Sequence, residues 1–146
     1  MQYMDAPDIR QRMEHIVRTV GMDHVDLTRV ACFRSKGSST RRIIARCHGL
    51  PKVMQLGLNT RAFYCIEMIS ERFDRMSEDD QTYVLIHELM HIPKSFGGGF
   101  RQHDFVCRRE VQKVQKLYRQ RCDPEARNGS VLDQLKTAFK MNAGKE

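Results

Sequence analysis

Between Ser77 and Pro93 the chain carries one helix-sized segment, SEDDQTYVLIHELMHIP, that limits what the rest can be. At 3.6 residues per turn, Val84, Leu85, Ile86, Leu89, Met90 and Ile92 cover nearly every side of a helix, so the segment must lie inside a domain. Its start is well signalled. Ser77 can cap, Asp80 stands at the third helical position, and three acidic residues, Glu78 to Asp80, complement the helix dipole. Pro93 disfavours helical geometry at the residue before it, so the helix should end near Ile92. Inside this apolar cylinder sit His87, Glu88 and His91, and buried polar groups of that kind need partners.

The flanking sequence supplies material to bury such a helix. Ile9, Met13, Ile16, Val17 and Val20 recur at helical spacing over Asp8 to Met22, with Gly21 near the end. Val25 to Phe33 reads as a strand, Ser35 to Ser39 as a turn, and Arg41 to Cys47 as a second strand. Val53 to Leu58 is a short strand or a short helix. Ala62 to Ile69 is the clearest strand; both its faces are mostly apolar, which places it well inside a sheet. A long helix is expected from Asp104 to Arg121, with Cys107, Val111, Val114 and Tyr118 as its apolar stripe. Asp123-Pro124 then stops the chain, a short amphipathic helix restarts at Ser130 and runs through Phe139, and Asn142 to Glu146 should fray.

These elements define an α+β fold. A small mixed sheet of three to four strands packs against an N-terminal helix and the central histidine helix, followed by one long helix and a short C-terminal one. With 146 residues the chain is expected to form one domain over residues 1–124, on which residues 125–146 should dock. No apolar run approaches the roughly 20 residues of a membrane helix, and Met1 to Arg12 lacks the apolar core of a signal peptide. Five scattered cysteines, none in a CxxC pair, fit free thiols. The expected location is therefore the cytoplasm.

On a helix His87 and His91 are one turn apart and point the same way, so both imidazoles can ligate one metal ion. Glu88 can sit just outside that shell, take a proton from activated water and pass it to a leaving amine. Zinc fits the donor set, but a catalytic zinc needs a third protein ligand and one open position. His103 is preferred, because Gly97-Gly98-Gly99 can reverse the chain and return it over the helix; Glu110, two turns further on, is the competitor. Asp104 is a candidate to orient an imidazole. For the oxyanion formed when a carbonyl is attacked, Arg101 and the hydroxyls of Tyr64, Tyr83 and Tyr118 are open choices. Glu67 reads as a paired structural carboxylate, His48 as structural or exposed, and His15 and His24 as incidental.

The run from STRRIIARCHGLPKVMQLGL through FYCIEMISERFDRMSEDDQTYVLIHELMHIPKSFGGGFRQHD resembles a metallopeptidase family of phages, archaea and bacteria. The likeness spans about residues 25 to 120 and rests on ISERFD, HELMHIP and the glycine loop followed by Arg101 and His103. It implies zinc held by His87, His91 and His103, with Glu88 as acid/base. More distantly the layout resembles SprT-like and minimal gluzincin domains, in which an edge strand can pair with extended substrate. The reading is thus a zinc metallopeptidase acting on a peptide or protein. Two alternatives stay open. The net charge of +7 would suit a DNA- or RNA-associated protein with a structural metal, although the basic residues are spread over most of the chain. A zinc hydrolase of a non-peptide amide or ester would use the same ligands.

Overall fold

The computed structural model describes residues 1–123, so the expected C-terminal helix lies outside the described residues. The fold is mixed α+β. Four strands form one sheet in the order β1-β2-β4-β3: β1 (Gln2–Asp5), β2 (Val30–Lys36), β3 (Ala45–Gly49) and β4 (Tyr64–Ile69). The central pair, β2 and β4, is parallel, and each edge strand is antiparallel to its neighbour.

Five helices accompany the sheet: α1 (Pro7–Val20), α2 (Lys52–Leu58), α3 (Ser70–Phe73), α4 (Glu78–Met90) and α5 (Arg108–Cys122). The start of α1 is set by Pro7, whose ring fixes the helical φ, and its end by Gly21 at φ +80. Its stripe of Ile9, Met13, Ile16 and Val17 is buried. These side chains join Val30, Cys32, Tyr64, Ile66 and Met68 of the sheet and Leu85, Ile86 and Leu89 of α4 in one core. Fully burying each of the larger ones is worth about 1.5–3 kcal/mol relative to exposure. Ser77 caps α4 as expected, its Oγ accepting from the Asp80 N–H at 3.2 Å.

Helix α4 is surrounded on several sides. Arg12 of α1 donates to the Gln81 Oε1 at 2.7 Å and to the Thr82 Oγ1 at 3.2 Å. On α5, Val111 and Gln115 are the buried residues, while Val114 and Tyr118 are only partly covered. Gln115 is polar and breaks the expected stripe because its Nε2 donates to the Asp79 carbonyl at 2.8 Å, tying α5 to the first turn of α4.

Strand boundaries shift from the sequence expectation, with β3 ending at Gly49 and β4 starting at Tyr64, and three of the shifts have a local reason. Val25 to Arg29 does not join the sheet, since Asp26 caps a short turn over Leu27–Arg29 by accepting from the Thr28 N–H. Strand β2 instead continues through Ser35 and Lys36, where pairing with β1 and the bond from Ser35 to Glu67 override the turn-forming residues. The strand expected at Arg41 begins at Ala45, because Arg72 takes the carbonyls of Thr40 and Ile43. The polar β1 carries no periodic signal and forms by pairing with the edge of β2.

Glu67 of β4 is 4% exposed and lies on the sheet face opposite the core. Burial raises its pKa, but hydrogen bonds from Ser35 at 2.6 Å and His48 at 2.9 Å, with Arg46 at 3.7 Å, outweigh that and leave it below the ordinary carboxylate value. A carboxylate with a lowered folded pKa contributes stability that is present above the unfolded value near 4.5 and lost as pH falls through the folded one. Glu67→Gln is therefore expected to cost about 1–3 kcal/mol at neutral pH. It should also flatten the stability loss below pH 4.5, measured by urea unfolding across the acid range.

Candidate metal centre

His87 lies on the last turn of α4, and His91 is the residue that closes it, with backbone still in the helical region at φ −68. Their ring centroids are 4.9 Å apart. His103 reaches them from the loop between α4 and α5, with ring centroids 5.6 Å from His87 and 4.9 Å from His91. The expected start of the following helix at Asp104 is not observed; α5 begins at Arg108, so His103 sits on the loop and not on a helix. One nitrogen from each ring lies within 4.8 Å of the others.

The donor chemistry suits a metal ion. Burial, then the neighbouring His91 and His103, push the His87 pKa down to about 4, so this ring is neutral and its lone pair available near pH 7. His91 is 2% exposed, and its pKa is lowered by burial, against a raising bond to the Arg101 carbonyl. That bond, from His91 Nδ1 to the Arg101 oxygen at 2.6 Å, requires the proton on Nδ1 and leaves Nε2 as the free donor atom. The Arg101 N–H in turn donates to the His91 carbonyl at 2.8 Å. Phe100 stacks on the His91 ring at 4.2 Å and 13°, fixing its plane.

Glu88 points into the same cleft. It is 7% exposed, makes no side-chain hydrogen bond among the described residues, and burial pushes its carboxyl up to about 7. The cleft has a volume of about 590 Å³ and runs between α4 and the outer strand β3. One wall is Ile43 to His48, the other Tyr83, Val84 and the three histidines, with Phe100 above. Its shape and one uncompensated carboxylate beside three imidazoles can support proton transfer next to a bound cation.

The remaining sequence candidates separate clearly. Glu110 is not part of the histidine cluster; it pairs with Lys113 at 3.2 Å and Arg109 at 3.7 Å on the exposed side of α5. Asp104 does not orient an imidazole, since it is exposed and its Oδ1 accepts from the Phe105 N–H; the Arg101 carbonyl contacts His91 instead. The Arg101 guanidinium lies over the Phe105 ring, 3.3 Å from its centroid, and does not line the cleft. Among the tyrosines only Tyr83 lines it; Tyr118 bonds His15 at 2.7 Å on another face, and the Tyr64 hydroxyl is occupied by Gly98 and Gly99. Sequence reasoning missed Phe100 and the Arg101 carbonyl, for which a ring among glycines was the only hint.

The five cysteines are free, and no helix among the described residues is long and apolar enough to cross a membrane. A family described as "Putative phage metallopeptidase" matches residues 1–121. Neither a curated protein nor a solved structure matches the chain. The lowered His87 pKa gives a direct check. In metal-free protein its ring should stay neutral as pH falls from 7 to 5 and protonate only near 4, read from histidine nitrogen shifts by NMR. Protonation near 6.5 would show that the ring is not desolvated as described.

Proposed function

The chain belongs to the phage metallopeptidase family, and on that premise we propose that it is a zincin-like zinc peptidase in which His87, His91 and His103 are the ligands and Glu88 is the acid/base. The observation that carries this reading is the convergence of three imidazoles beside an unpaired buried carboxylate in one cleft. A zinc ion there would supply Lewis acidity, bringing the pKa of water to about 7.

The protein groups account for the rest. Glu88 accepts a proton from the attacking water as its oxygen bonds to the carbonyl carbon, then delivers that proton to the nitrogen as the C–N bond breaks. A carboxyl poised near 7 suits both directions of transfer. Tyr83 donates its hydroxyl to the oxyanion, a task for which Arg101 is turned away on Phe105. The substrate is an extended peptide laid along the free edge of β3, pairing by main-chain bonds. Ile43, Ile44, Val84 and Phe100 make the walls apolar, which suits an apolar side chain beside the cleaved bond.

Glu88→Gln should retain one zinc per chain and lose peptide hydrolysis by about 10²–10⁴-fold; comparable turnover in the variant would remove Glu88 from the mechanism. Elemental mass spectrometry of protein purified without added metal tests the ligands. His103→Ala is expected to lose zinc and Glu110→Ala to keep it, and the reverse result would overturn the ligand set.

A further inference from the structure

Eleven residues lie between His91 and His103, and three of them are consecutive glycines. A glycine run of that kind has the most backbone freedom to lose, so bringing His103 to the other two rings requires something to hold the loop. The end of the loop is fixed by the reciprocal bonds between His91 and Arg101. Its middle is fixed from beneath by two side chains remote in sequence. The Tyr64 hydroxyl accepts from the Gly98 N–H at 2.9 Å and donates to the Gly99 carbonyl at 2.8 Å. The Gln55 Nε2 donates to the Gly97 carbonyl at 2.9 Å and to the Leu50 carbonyl at 2.8 Å.

Both groups are built into the fold. Tyr64 is fully buried at the start of β4, its ring 4.9 Å from that of Phe96. Gln55 is the one buried residue of α2, whose Val53, Met54, Leu56 and Leu58 are all exposed. An apolar helix that keeps its carboxamide inside and its aliphatic groups outside is not arranged for core packing. The loop leaves no slack over these anchors. Gly98 has φ +93, and a Cβ there would collide with the Leu50 carbonyl and the Gln55 Nε2; a Cβ on Gly49 would come within 2.7 Å of the Gly98 carbonyl.

We propose that Tyr64 and Gln55 are positioning residues for the metal centre, clamping Gly97 to Gly99 to the sheet so that His103 stands in the ligand set. The proposal rests on the reading of His103 as a ligand. Neither residue touches the metal or the substrate, and their effect passes entirely through the loop.

The test uses the full chain and four proteins: wild type, Tyr64→Phe, Gln55→Leu and His103→Ala. Zinc affinity is measured by competition with a chromophoric chelator, and ligand geometry by the visible spectrum of the cobalt(II)-substituted protein. Expected for Tyr64→Phe and Gln55→Leu is zinc binding weaker by about 10–100-fold, with the cobalt spectrum moved toward that of His103→Ala and the far-ultraviolet circular dichroism unchanged. Zinc affinity within about twofold of wild type in both folded variants overturns the proposal. Weaker zinc with a wild-type cobalt spectrum overturns it too, since His103 would then still be bound. If Tyr64→Phe does not fold, Gln55→Leu decides alone, because its loss leaves the β4 core intact. Wild-type zinc affinity in His103→Ala would instead remove the underlying ligand reading.

Discussion

The structure depends on one awkward requirement: the apolar second half of α4 must be buried while keeping a histidine pair and a glutamate usable. Burying Glu88 and His91 in a closed core would leave ionisable groups unpaired, at a cost of several kcal/mol each. The fold meets this by ending the sheet beside α4. Because β3 is an outer strand, the layer that covers the core stops at the point where the polar side chains emerge, and a cleft opens there. Ile86 and Leu89 can then be fully buried while Glu88, next to both His87 and Leu89, borders the opening. The neutral His87 and the high carboxyl of Glu88 follow from the same partial burial.

The parts of this arrangement set by local chemistry could be read in advance. Helix α4 and its Ser77 cap, the α1 stripe, the inner position of β4 and the pairing of His87 with His91 all follow from spacing and capping rules that act within a few residues, whereas His103 was read from the glycine run that lets the chain turn back. What could not be read was long-range. Strand β1 exists only because β2 has an edge to offer, and β2 extends past its turn signal because Glu67, 32 residues away, binds Ser35. Asp104 looked like the orienting group because it adjoins His103, whereas the fold puts a backbone carbonyl in that position. A carbonyl has no letter in the sequence, so no motif could have announced it.

The loop between α4 and α5 shows how little secondary structure is needed to bring a third imidazole to the candidate metal site when the backbone is well bonded. It contributes a ring, a carbonyl, a stacking surface and a turn, and the last three are each bonded to or packed against a buried residue of the fold. His103 is itself exposed, and it is the histidine whose position derives least from its immediate neighbours. Rigidity is imported from the sheet through Tyr64, not generated by the loop.

The open side of β3 has a further consequence, for how copies of the chain meet one another. A strand with one unsatisfied row of N–H and C=O groups can accept any other extended backbone, including the same strand of a second molecule. Arg42 and Arg46 stand along that border, so an approaching copy would bring like charges toward them. Arg46 is partly neutralised by Glu67, but Arg42 is exposed. Charge of one sign along an edge works against pairing with an identical edge, and an unrelated backbone does not carry that pattern.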